Sequence, residues 1–248
     1  MKTINYLLFC LVMLMIVVAS SCNDTLSDTD FEVNGVKFRM IAVEGGSFMM
    51  GATPEQGDAA RENEKPAHKV TVDDFYIGET EVTQKLWFAV MGNNPSYFQD
   101  DDGNRPVENV SWNDAQEFIK GLNEITGRQF RLPFEAEWEY AARGGRKTTN
   151  KMYAGSDDLS KVAWYVDNSG NCTHLVAEKL PNELGLYGMS GNVWEWCDCI
   201  GDPINLLCNL RGGSFGNDSI WLRTSSRYIS SADNRNIHIG FRIVLIND

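Results

Sequence analysis

Basic side chains are in short supply in this chain. Its 248 residues carry 22 Lys and Arg against 34 Asp and Glu, a formal charge of −12. A surface of that sign gives a phosphate backbone little to hold, which excludes nucleic acid as a partner. Histidine is scarcer still: His68, His174 and His238 are the only three, with no close pair among them. No apolar run is long enough to cross a bilayer as a helix, since the longest stops between Tyr6 and Val18. Cysteine is limited to six residues, and no internal repeat is evident.

What the N-terminus does contain has the shape of an export signal. Lys2 precedes the apolar run, and Ala19-Ser20-Ser21-Cys22 resembles a bacterial lipoprotein processing site that would leave a lipidated Cys22 as the first mature residue. The expected organisation is a signal peptide over 1–21, an acidic tether over 22–34 and one domain over 35–248. Such a protein belongs in the bacterial cell envelope, anchored to the outer membrane or the cell surface by its lipid alone. In that compartment Cys172, Cys197, Cys199 and Cys208 are candidates for disulfides. Four cysteines allow three pairings, and the short Gly201-Asp202-Pro203 loop favours Cys199 with Cys208 over a metal site.

Along the domain, Val36, Phe38 and Met40 alternate as a strand, Gly45 to Gly51 turns and continues it, and His68 to Val72 alternates again before Phe75 to Gly78. A short helix is predicted over Gln84 to Met91. Ser111 and Asp114 form a capping box for a second, with Ala115, Phe118, Ile119 and Leu122 at helical spacing and Gly127 at its end. A third runs from Glu135 to Ala142. Its glutamates, Glu135, Glu137 and Glu139, are expected to form a solvated face. Gly185 to Trp196 reads as irregular backbone around aromatics rather than helix or strand. Finally, Arg211 to Phe215 and Ile239 to Val244 look like rigid ends around residues 216–239, which follow neither helical nor strand period. A polar, aromatic-dotted stretch of that length between fixed ends suits a functional surface. Asn217, Asp218, Arg223, Ser225, Arg227 and Asn236 within it are expected to vary without loss of stability.

Taken together, Gly45 to Gly51, Lys65 to Val70, Glu79 to Thr83, Arg105 to Trp112, Arg131 to Ala141, Gly188 to Trp196, Arg211 to Phe215 and Gly240 to Arg242 resemble the formylglycine-generating enzyme, or sulfatase-modifying factor, family. The resemblance implies an α+β fold, the formylglycine-generating-enzyme variant of the C-type lectin fold, rich in irregular loops. In the copper-dependent oxidases of that family two cysteines follow the Arg-Gly-Gly-Ser-Phe motif. Asn217 and Leu222 stand at those positions, so neither copper nor a catalytic residue is expected. Trp221 matches an active-site Tyr, His238 matches an Asn, and Ser214 is unchanged. The iron-dependent sulfoxide synthases of the family take histidines from a helical domain that is missing here. The resemblance also implies a structural Ca2+ held by Asn192 and Glu195 with the backbone of Gly191 and Val193.

These readings favour an exported, lipid-anchored domain that binds an unidentified protein or glycan through residues 216–239 without catalysis. The contacts would come from Asn217, Asp218, Ser219, Trp221, Arg223, Ser225, Arg227, Tyr228, Asp233, Asn234, Arg235, Asn236 and His238, a palette typical of binding loops. Some members of the family are variable targets of diversity-generating retroelements, which mutate adenines and cannot turn Asn codons into Lys, Glu, Gln or Met. Residues 216–239 contain none of those four. The alternatives are a divergent formylglycine-generating oxidase acting on sulfatases and a structural component of an envelope complex.

Overall fold

Asn34 and Gly35 turn the chain between two strands that sequence reading divided between tether and domain. β1, Thr29–Val33, pairs antiparallel with β2, Val36–Val43. The two turn residues sit at φ 49° and 83°, the twist that suits a two-residue hairpin. Phe31 of β1 stacks on Phe38 at 5.4 Å and meets Phe130 edge-on at 5.3 Å, which ties the strand to the core. Asp28 also accepts the amide of Ala42 at 3.0 Å. The 22–34 tether is thus corrected: from Asp28 onward its chain is part of the domain. The computed structural model describes residues 26–100, 102–200 and 206–246; the signal segment, Cys22 and the first part of the tether lie outside the described residues.

The remaining elements follow in order. β3 (Gly46–Met50) and β4 (His68–Val72) form a hairpin, and β5 is Phe75–Gly78. Helices α1 (Gln84–Met91) and α2 (Trp112–Thr126) end on left-handed Gly92 and Gly127, and α2 starts on the reciprocal capping box of Ser111 and Asp114. Next come β6 (Phe130–Arg131), α3 (Glu135–Ala142) and α4 (Leu159–Val162), then β7 (Trp194–Ile200), β8 (Leu207–Arg211), β9 (Arg227–Ser231), β10 (Ile239–Gly240) and β11 (Val244–Leu245). One sheet has the order β1-β2-β5-β11-β6 and the other β10-β7-β8-β9. Between them Trp87, Phe118 and Phe241 pack with centroids 5.3 to 6.1 Å apart, while Trp138 and Trp196 are fully buried. The fold is the expected α+β one.

One local reading changes. Trp194 and Trp196 begin strand β7, which pairs with β8 on one side and β10 on the other. The register shifts between Trp196 and Cys199, and Trp194 to Cys197 are all buried, so no alternation marks the strand. Beyond the shift Cys199 lies opposite Cys208 and is joined to it as a disulfide. That leaves Cys197 without Cys199 as a thiolate partner. Cys197 is itself buried, and burial pushes its thiol well up.

The larger correction concerns charge. Glu135, Glu137 and Glu139 are buried, at 8%, 7% and 0% exposure, because arginines reach them, Arg131 and Arg143 from nearby in the chain and Arg211 and Arg227 from far along it. Arg211 donates to Glu135 at 2.7 Å and to Glu139 at 2.8 Å, Arg227 also holds Glu135, Arg143 holds Glu139, and Arg131 binds Glu137 through both of its oxygens. Glu195 behaves the same way: Arg242 donates to its two oxygens at 2.6 and 2.7 Å, and the Trp138 indole donates at 2.6 Å. Asn192 instead accepts the His174 amide at 2.9 Å and donates to Glu81 at 3.0 Å. The pair Asn192 and Glu195 therefore does not fit the calcium role, since a guanidinium already occupies the lone pairs an ion would use.

Residues 216–239 are likewise not one exposed stretch. Arg223 and Ser225 are 2% and 0% exposed; Arg223 forms a fork with Glu64 at 2.6 and 2.8 Å, and Ser225 donates to Gln56 at 3.0 Å. Burial pushes the Glu64 carboxyl up, but hydrogen bonds from Arg223 and Ser225 outweigh it and hold the carboxyl below its ordinary range. Arg223→Ala strands that carboxylate, and a loss of about 3–5 kcal/mol is expected in urea denaturation. Arg235→Ala, which breaks only the exposed pair with Asp114, is expected to leave the midpoint unchanged.

Glu81 carries a pH signature of opposite sign. Burial, opposed by Arg242 and aided by Glu195, pushes its carboxyl up to about 7, and one of its oxygens has no hydrogen-bond partner among the described residues. A carboxyl raised in the folded state keeps its proton there while the unfolded chain releases it, so stability falls as pH rises from about 4.5 to 7. Glu81→Gln is expected to reduce that slope in melting curves taken across the window. Glu108, also pushed up to about 7 by burial, maintains the remainder.

Candidate functional site

The two rigid ends and β9 enclose an open hollow of about 290 Å3 on the face of the β10-β7-β8-β9 sheet. Its wall begins where Arg211 leaves β8. Gly213 takes φ 73° there, and a Cβ on it would lie 2.9 Å from the Trp221 carbonyl, so the chain can double back only with glycine. At the far end a Cβ on Gly240 would lie 2.3 Å from the Val107 carbonyl, which seats β10 against the core.

Ser214, Asn217 and His238 form one connected wall. The Ser214 amide and hydroxyl donate to Asn217 Oδ1 at 3.0 and 2.8 Å, and Ser214 Oγ lies 3.1 Å from His238 Nδ1. His238 stacks on buried Phe215 with centroids 4.3 Å apart. Burial pushes its imidazole pKa down, so the ring is neutral at neutral pH. The Asn236 side chain fixes the strand entry by accepting the His238 amide at 2.9 Å, and the His238 carbonyl accepts the amide of Trp194 at 2.8 Å.

The opposite wall is aromatic and polar. Tyr228, 51% exposed, is tilted towards Trp194 at 6.1 Å and meets Trp221 edge-on at 6.0 Å. Arg61 lies over the Trp221 ring at 3.0 Å. On the rim Asn234 donates to Ser230 at 2.9 Å. No Asp, Glu, Lys or Arg lines the hollow among the described residues.

Of the residues expected to contact a ligand, Asn217, Tyr228, Asn234, Asn236 and His238 line this hollow, and Trp221 lies behind Tyr228. Asp218 and Ser219 are exposed on a short 3-10 turn, where Asp218 accepts the Ile220 amide at 3.2 Å. Asp233 accepts from Ser231, and Arg235 turns to Asp114. Arg223, Ser225 and Arg227 face Glu64, Gln56 and Glu135 instead and are corrected to structural positions. Leu222, which the resemblance matches to the second family cysteine, is fully buried among Tyr153, Leu159 and Val162. The ligand contacts expected from sequence leave out Trp194, Leu210, Ser214, Gly216, Ser230 and Ile239, which also line the hollow. Trp194 carried only the signal of an aromatic in a glycine-rich stretch, and Ser230 becomes visible only once β9 is recognised as a strand.

Comparison with known proteins agrees with this fold. A family profile described as "Sulfatase-modifying factor enzyme 1-like domain" matches residues 29–246. Similar proteins include the chaperone protein LppX of Paenibacillus barcinonensis, 34% identical with 79% of this chain and 80% of that protein covered. The formylglycine-generating enzyme of Streptomyces coelicolor is 28% identical over 82% of this chain and 87% of the enzyme. Among solved structures, Treponema denticola variable protein 1 superposes with a TM-score of 0.78 at 31% identity, covering 88% of this chain and 98% of that one. The chain belongs to the sulfatase-modifying factor enzyme 1-like domain family.

Proposed function

We propose that this protein is an exported, lipid-anchored envelope protein that binds a ligand in the hollow between Ser214, Tyr228 and His238 without catalysing a reaction. The observation that carries this reading is the state of the two positions that the resemblance matches to the thiolates of the family oxidases. Asn217 there is tied to Ser214, and Leu222 is withdrawn into the core. Neither supplies a soft ligand for Cu(I) or a nucleophile. The hollow itself combines an open aromatic ring with amides and hydroxyls, which is the composition of a recognition surface. Two similar proteins carry names without an enzymatic activity, a chaperone and a variable protein, and their likeness supports the same reading. In a diversified version, variation would fall on the exposed positions around the hollow, because Arg223 and Ser225 hold the fold.

The enzymatic alternative is tested by incubating the protein with Cu(I), oxygen and a Cys-containing sulfatase peptide. The peptide is expected to keep its mass, and the mass loss of a Cys-to-formylglycine conversion would return the oxidase reading. Binding is tested by selecting ligands from a random peptide display library and a glycan array, then repeating the capture with Ser230→Trp, which plugs the hollow from its rim. Captured ligands are expected to be lost while the variant melts like the parent protein, with Tyr228→Ala as a second variant should the first not fold. Retention of every captured ligand by the plugged variant overturns the hollow as the binding site.

A further inference from the structure

Every charged side chain in residues 216–239 is committed to a partner outside the hollow. Arg223 goes to Glu64, Arg227 to Glu135 and Arg235 to Asp114, while Asp218 accepts a backbone amide and Asp233 accepts the Ser231 hydroxyl. A protein of net charge −12 thus presents a hollow with no Asp, Glu, Lys or Arg among its described lining residues. What faces inward is an inventory of neutral donors and acceptors. Three asparagines, Asn217, Asn234 and Asn236, join Ser214, Ser230 and the Tyr228 hydroxyl around one exposed ring.

That inventory discriminates between ligand classes. An ionised ligand would lose its hydration and gain no counter-charge, a penalty that grows as the site closes around it. An apolar side chain inserted into the hollow would bury the groups that the wall leaves free among the described residues, the Asn217 and Asn236 amino groups, Asn234 Oδ1 and the Tyr228 hydroxyl, at about 1–3 kcal/mol for each buried unpaired. A sugar ring meets both demands: its hydroxyls pair with the amides in either direction, and its C–H face lies against an aromatic ring. The size agrees, since about 290 Å3 is at the small end for a ligand pocket and suits one or two such rings.

We propose that the hollow between Asn217, Tyr228, Asn234 and Asn236 is a site for an uncharged saccharide, with Tyr228 as the stacking ring and the asparagine amides reading the hydroxyls. This rests on the binding reading above and narrows its ligand. Tyr228 is the key contact, because its ring is half exposed whereas Trp194 is only 7% exposed.

The test presents the full protein to an array carrying neutral oligosaccharides, their sialylated or sulfated counterparts and random peptides, followed by ligand-observed NMR with methyl hexosides. Neutral glycans are expected to bind, with affinity reduced about tenfold or more by Tyr228→Ala and by Asn234→Ala but unchanged by Ser219→Ala on the neighbouring turn. Stronger capture of the acidic glycans overturns the proposal. Peptides that bind while neutral glycans do not, and that are displaced by Ser230→Trp, overturn the saccharide class and leave the hollow as a binding site. If nothing captured is sensitive to Ser230→Trp, the saccharide site and the binding reading fall together.

Discussion

The guanidinium of Arg211 joins strand β8, helix α3 and the chain that returns before β9. It is 1% exposed and lies between Glu135 and Glu139 of α3, while its remaining donors reach the carbonyls of Thr224 and Ser226. A cation taken this far from water persists only with full pairing, and the two carboxylates and two carbonyls supply it. One side chain therefore fixes the end of β8 to a helix and holds the returning chain before β9. Arg227 extends the network by sharing Glu135, and Arg143 extends it on the other side by sharing Glu139. The network thereby fixes the strand whose Leu210 lines the hollow.

The same geometry divides residues 216–239 into two functions. From Leu222 to Ser226 the chain is buried and satisfies Gln56 and Glu64 of a remote loop, whereas Tyr228, Asn234 and Asn236 are exposed. Exposed positions without structural partners tolerate change; buried ones with forked ion pairs do not. A binding surface can be altered on such a frame without remaking its core.

Arg242 and Glu195 illustrate how a buried pair constrains other chemistry. With Trp138 as a third donor, the Glu195 carboxylate is saturated, and the backbone near Gly191 and Val193 is held by strand pairing and by Trp164 and Gly212. Glu81, its neighbour, carries the residual tension: it faces another carboxylate in a buried setting, and Asn192 satisfies only one of its oxygens. The pH response of the fold should thus originate beside the sheet rather than at the hollow, whose imidazole, His238, is held neutral by burial.

Local chemistry was enough to locate much of this fold. The bounds of α1, α2 and α3 followed from Thr83, Ser111, Gly92, Gly127 and Pro133, because caps and breakers act within one turn of the chain. The early strands were legible from alternation, and the family from motifs spread along the domain. Strand β7 was not legible, since burial on both faces and a register shift erase its period. Nor was the fate of the charges. Nothing near Glu139 in sequence announces Arg211, and nothing near Arg223 announces Glu64, 159 residues away. By itself the sequence determined the helix bounds, the early strands and the family. Only the tertiary structure decided which side chains face a ligand and which are consumed in holding the fold, because ion pairing across long separations depends on where the chain returns.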